Sequence, residues 1–136
     1  MLINEKSMEF LFKQIASFYK SLADENRLRI IVNLSDGRKS VSKIIEDTEL
    51  SQPLISHHLK ELKNNMIVKT ERKSSFVFYE LTEPALIDLI QLTNHLLIEL
   101  NEKHNFTFPQ KSKFDMPFPV MMKKMFELMN KSNKEE

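Results

Sequence analysis

At 136 residues, 41% apolar and 29% charged, the chain has the length of one domain with an appendage and enough apolar material to close a core, which excludes wholesale disorder. Its longest unbroken apolar run, Phe76 to Tyr79, is four residues, far short of the roughly 18 that cross a bilayer; no cysteine and a single glycine, Gly37, remove disulfides, thiolate metal sites, thiol redox switches and glycine-rich nucleotide loops. The formal net charge of +1 divides into +3 over residues 38 to 73 and −2 over residues 74 to 136, an asymmetry that a solvated surface accounts for on charge alone.

Met8, Leu11, Phe12, Ile15, Tyr19 and Leu22 recur at helical spacing between Lys6, Glu9, Lys13 and Lys20, which predicts an amphipathic first helix capped by Asn4. Asp24 is placed to cap a shorter second helix through Leu28, Ile31 and Leu34, stopped by Asp36-Gly37. Ser40 caps a two-turn third helix that buries Val41, Ile44 and Ile45 before Thr48-Glu49-Leu50 turns the chain. The fourth helix starts at Ser51, with Pro53 in its first turn and Ile55, Leu59 and Leu62 as its inward stripe. Asn65 is expected to close it in the left-handed conformation, with Met66 behind it supplying the apolar contact.

Ile67 to Arg72 and Phe76 to Leu81 are β-branched or aromatic runs around Lys73-Ser74-Ser75, which predicts a hairpin with a basic tip. From Thr82-Glu83-Pro84 a long fifth helix follows, with Leu86, Leu89, Ile90, Leu96, Leu97 and Leu100 along one side and Ile87, Leu92 and Ile98 widening the apolar surface. One side suits the chain's own core and the other a partner. Residues 105–136 break the pattern: Phe106, Phe108, Phe114 and Phe118 sit among prolines and charges. A short helix from Val120 to Asn130 then spaces Met121, Met122, Met125 and Met129 along one face. The expected division is a domain over residues 1–104 and a Phe/Pro-rich connector with a Met-rich helix over 105–136.

Three helices ending in a capped one, followed at once by a hairpin, is the order of a winged helix-turn-helix, a mainly α fold with a small β-hairpin, in which the helix after the turn enters the DNA major groove. With Ile55, Leu59 and Leu62 inward, a 3.6-residue turn sends Gln52, Ser56, His57, Lys60 and Lys63 outward. Glutamine pairs with adenine through two hydrogen bonds, serine and histidine reach base edges or phosphates, and lysine neutralises phosphate. Any surface helix is polar opposite its apolar stripe, so that face alone would decide little. Lys69, Arg72 and Lys73 on the hairpin add cations that a purely structural hairpin does not need.

At these residues the sequence resembles the ArsR family of winged-helix repressors. Ser21 to Ile31 is similar to the family's helix-opening signature, Leu50 to Leu62, containing Ser56-His57-His58-Leu59, to its recognition helix, and Phe78-Tyr79-Glu80-Leu81 to the end of its wing. The similarity covers roughly residues 15 to 100. It implies a homodimer joined by the first and fifth helices, which represses by reading a palindromic operator in double-stranded DNA, with Gln52, Ser56 and His57 at the bases.

The departures from the family pattern concern sensing. Where arsenite and soft-metal sensors carry paired cysteines, this chain has Ser40 and Ser42, whose hydroxyls are poor ligands for soft metals. Where zinc-class sensors carry ligands on the fifth helix, the corresponding positions are Glu83, Ala85, Leu96 and Glu99, two of which cannot ligate. Asp88, His95 and Glu99 share one helical face and would double across a two-fold axis, but a hydrated polar edge is the preferred reading. His104 suits a helix end. Packing is preferred over copper(I) ligation for the methionines. The wing lacks the family's usual glycine.

No cofactor and no metal are expected, and any effector, small molecule or metal, is unidentified. The first ten residues lack the apolar stretch of a signal peptide, so a cytoplasmic home without membrane association is the expectation. The alternative to a DNA-binding repressor is a winged-helix interaction module that binds protein through its hydrophobic tail. An enzyme is rejected, because the four histidines include no recognisable pairing of general base and nucleophile.

Overall fold

Side-chain oxygens start four of the five helices in the computed structural model, which describes residues 4–104. Asn4 accepts from the Ser7 amide at 2.8 Å and opens α1 (Glu5–Leu22). The Asp24 carboxylate accepts from the amides of Asn26 (2.9 Å) and Arg27 (3.1 Å) and opens α2 (Glu25–Asn33). Ser40 accepts from Lys43 to open α3 (Val41–Thr48), and Ser51 from Leu54 to open α4 (Gln52–Asn64). Each cap satisfies amides that a helix start leaves without partners. α5 spans Ala85–His104. Residues through Glu83 form one unit and those from Pro84 a second.

In the first unit, α2, α3 and α4 pack on one another around Ile30, Ile31, Ile44, Ile55, Leu59 and Leu62, and Ile67 and Val68 continue that core into the sheet. Leu34 is buried in a single 3-10 turn after α2, which Gly37 ends at φ 129. Val41 and Ile45, expected in the core with Ile44, remain half-buried.

The sheet has three strands rather than the two of the predicted hairpin, in the order β1 (Lys39–Ser40), β3 (Phe76–Leu81), β2 (Val68–Lys73), all antiparallel. β1 pairs Lys39 with Tyr79 and Ser40 with Phe78. Two residues are too few to show an alternating pattern, and Ser40 serves at once as strand and as cap of α3. The hairpin is also tighter than expected. Lys73 pairs with Phe76, leaving a two-residue turn in which Ser74 takes φ 58, a conformation glycine would adopt at lower cost.

The end of α4 differs from the expectation. Asn65 keeps φ −96 and donates its side-chain amide to the Glu61 carbonyl at 2.8 Å, while Met66 takes the left-handed φ of 60. The Met66 amide donates to Lys63 and the Ile67 amide to Leu62, the paired closure of a Schellman cap. The apolar residue behind the cap is therefore Ile67, which is buried, and Met66 is 71% exposed.

Two apolar surfaces are left exposed among the described residues. On α1 only Leu22 is buried, and Met8, Leu11, Phe12, Ile15, Phe18 and Tyr19 are exposed. On α5 the buried row is Leu86, Ile90 and Asn94, while Leu96 and Leu100, expected beside Leu86, join Leu92 in a second, exposed row. A 3.6-residue repeat separates rows at i, i+4, i+8 that start six residues apart by roughly 120°. The expected Phe/Pro connector and Met-rich helix lie outside the described residues.

Candidate nucleic-acid interface

The turn into α4 is fixed by its own side chains. The Glu49 amide donates to the Ile45 carbonyl at 2.8 Å with Glu49 at φ 59, and the Thr48 hydroxyl donates to Ile44 at 2.6 Å and accepts from the Leu50 amide at 3.4 Å. α4 then buries Ile55, His58, Leu59 and Leu62 and leaves Gln52, Ser56, His57, Lys60 and Lys63 exposed. Three hydrogen-bonding groups and two cations thus occupy the outer surface of a helix whose opposite face is locked into the core.

His58 separates from His57 in this arrangement. Its side chain is 5% exposed, completes the inward stripe three residues after Ile55 and four before Leu62, and puts Nε2 3.6 Å from Oδ1 of Asp24, the cap of α2. Burial holds its imidazole below the ordinary histidine range, opposed by the charges of Asp24 and Glu61 and assisted by those of Arg27 and His57. Partial burial works to raise the Asp24 carboxyl, but the Arg27 amide, the His58 charge and the Asn26 amide outweigh it, and Asp24 ends below the usual carboxylate range. Helical spacing was the only sequence signal for this contact, and an apolar template passes over a histidine.

The wing presents its charges on two faces. Directly opposed residues share a face, so Lys69, Glu71 and Lys73 lie with Phe76, Phe78 and Glu80, while Arg72 lies with Val77 on the other side. On the first face Lys69 is held 3.6 Å from Glu80, and Arg38 pairs with Glu71 at 2.7 Å while stacking 5.5 Å over the Phe78 ring. Among the described residues no ion pair within 4.0 Å engages Lys60, Lys63, Arg72 or Lys73, all of which are exposed. Lys69 therefore differs from the other seven residues of the expected DNA-binding set: its charge is already answered within the sheet.

Behind the interface, Asp47 of α3 joins three elements. It accepts from Lys39 of β1 (2.8 Å), Lys43 of its own helix (3.1 Å) and the side-chain amide of Asn33 at the end of α2 (3.0 Å). The hydrogen bond from Lys39 is the largest of several effects that hold its carboxyl far below the usual range, against the opposing effect of burial. Sequence reading missed this junction, because Asn33 and Lys39 reach Asp47 from two other elements, fourteen and eight residues away.

On α5, His95 Nε2 lies 3.3 Å and Lys103 Nζ 3.5 Å from the Glu99 carboxylate. Among the described residues no three of His, Cys, Asp and Glu gather as a metal would require, Asp88 with His95 and Glu99 included. Ser40 is engaged as a helix cap, and Ser42 and His104 are exposed. No helix of the described residues is long and apolar enough to cross a membrane.

A tri-helical core, an exposed polar helix after a tight turn and a cationic two-stranded wing make up a winged helix-turn-helix, the class of fold that presents a helix to the DNA major groove. Residues 24–70 match the family described as bacterial regulatory protein, arsR family. The chain is 35% identical over 83 residues to the arsenical resistance operon repressor of Staphylococcus aureus, spanning 61% of this chain and 80% of that protein. It superimposes on reduced HlyU from Vibrio cholerae with a TM-score of 0.59 at 32% identity, covering 67% of this chain and 96% of the other. A structure from Mycobacterium bovis described as a homodimeric winged helix-turn-helix DNA-binding domain gives 0.62 at 25% identity, covering 73% and 92%. The chain belongs to the ArsR family of DNA-binding transcription regulators.

Proposed function

We propose that the protein is a cytoplasmic homodimeric repressor that reads a palindromic operator in double-stranded DNA. Gln52, Ser56 and His57 of α4 take base edges, and Lys60 and Lys63 take the flanking phosphates. Arg72 and Lys73 of the wing take phosphates further out, with Lys69 a lesser contributor. The observation that carries this reading is the exposure of all five polar residues of α4 opposite a fully buried Ile55, Leu59 and Leu62. Two such helices in a dimer should sit about one duplex turn, roughly 34 to 36 Å, apart.

The exposed apolar row of α1 and that of α5 support self-association, since large uncovered apolar surfaces on a soluble chain mark interfaces. The relatives include a protein named as a repressor and one named as a transcriptional activator, and the position of the operator relative to the promoter decides between these outcomes. An effector, small molecule or metal, releases the DNA by favouring a dimer with mismatched helix spacing.

Selection of bound sequences from random duplexes tests the reading. A palindromic consensus is expected, and Gln52→Ala with Ser56→Ala should relax preference at two or three positions by about 1–3 kcal/mol each. Failure to enrich any sequence, with binding insensitive to salt, would favour a protein-binding module instead.

A further inference from the structure

The outer face of the wing is electrically closed everywhere except at its tip. Lys69 is answered by Glu80, Glu71 by Arg38, and Phe78 is covered by the Arg38 guanidinium. Only the last pair, Lys73 and Phe76, has neither a counter-charge nor a cover: among the described residues Lys73 makes no ion pair, and Phe76 is 62% exposed directly opposite it. The two residues between them are serines, so the tip is narrow. Arg72 and Val77 form the pair on the opposite face.

Exposed on most of its surface, the Phe76 ring gives the hairpin only a small cross-strand contribution, and burying it against an apolar wall is favourable. A duplex offers such a wall next to phosphates in the deoxyribose edges of its minor groove, about 6 Å wide, which admits side chains of a narrow tip but not a whole β-ribbon. We infer that Phe76 is a direct DNA contact, packing on the sugar edges of the minor groove beside the half-site while Lys73 and Arg72 hold the phosphates on either side. The inference rests on the reading of α4 and the wing as the DNA surface. It adds an apolar contact to an interface otherwise built from charge and hydrogen bonds.

The two kinds of contact separate under salt. Binding of the full chain to its selected duplex should be followed by fluorescence anisotropy from about 50 to 300 mM salt. Phe76→Ala should weaken binding by about tenfold for the two wings together at every salt concentration, leaving the log–log slope unchanged. Phe76→Leu should recover most of the loss. Lys73→Ala should instead flatten the slope by about 1.8 per dimer. Trimming the duplex ends to the α4 half-sites should remove the difference between Phe76→Ala and the parent, which a fold defect would not do. Phe76→Ala binding within twofold of the parent on the long duplex, or a loss that persists on the trimmed one, overturns the inference while leaving the function in place. A parent that binds no duplex overturns both.

Discussion

The salt dependence of DNA binding should reveal which cations the fold leaves free. Lys60, Lys63, Arg72 and Lys73 are exposed and make no ion pair among the described residues, whereas Lys69 lies 3.6 Å from Glu80. Four free cations in each of two protomers would give a log–log slope of about −7, so raising salt from about 50 to 200 mM should cost roughly four orders of magnitude in affinity. Lys60→Ala, removed from both protomers, should flatten the slope by about 1.8, and Lys63→Ala likewise. Lys69→Ala should flatten it by less than half as much, because part of that charge is spent on Glu80. Glu80→Gln should steepen it. Anisotropy titrations of one duplex at five or six salt concentrations measure all of these. Equal flattening by Lys69→Ala and Lys60→Ala would refute the claim that the sheet neutralises Lys69, and an unchanged slope in every variant would remove α4 and the wing from the phosphate surface altogether.

Asp24→Ala strips the cap from α2 and the facing carboxylate from His58; thermal melts at pH 7.5 should show a loss of about 1–2 kcal/mol, or several degrees, whereas Asp24→Asn, which still caps, should lose less than half as much. Because the folded His58 titrates below its ordinary range, the unfolded chain binds more protons, so its contribution is complete above about pH 6.5 and lost as pH falls below that. Melts from pH 7.5 to 5 should decline accordingly, and His58→Gln should flatten the decline; an identical decline in that variant would place its origin elsewhere. Asp47 is depressed in the folded state, so its contribution is present above the usual carboxylate range and lost in acid. Asp47→Asn should cost about 1–2 kcal/mol in melts at neutral pH, and the difference should largely persist near pH 3, shrinking only in stronger acid where the folded carboxyl is at last protonated.

Much of the fold was legible because it depends on local chemistry. Asn4, Asp24, Ser40 and Ser51 cap where a short polar side chain precedes an apolar repeat, and Ile55, Leu59 and Leu62 fix which side of α4 faces out. Contacts made across sequence distance were not legible. β1 exists because Lys39 and Ser40 meet a strand some forty residues on, and the Asp47 junction draws on α2, β1 and α3. At the end of α4 the left-handed residue was misplaced by one position. Asn65 keeps a negative φ with its side-chain amide on the Glu61 carbonyl, and Met66 takes the left-handed conformation instead. The eight expected DNA-binding residues were found exposed, but only the sheet register showed that Arg72 and Lys73 point to opposite faces and that Lys69 is already paired.

The way α4 is held constrains how any effector could act. Its inner face buries Ile55, Leu59 and Leu62 and sets His58 against the cap of α2, while its start and end are closed by Ser51 and by the Schellman pair. Tilting this helix within its protomer would open that core and leave a buried imidazole without its carboxylate, a cost of several kcal/mol. The outer rows of α1 and α5, by contrast, are exposed rather than packed in the core of the described residues. A ligand that shifts how two such rows meet therefore works against weaker resistance than one that re-aims α4, and a change in distance between two rigid helices is enough to mismatch a duplex turn. Regulation by spacing, with the reading helix unaltered in each protomer, is the route this packing favours.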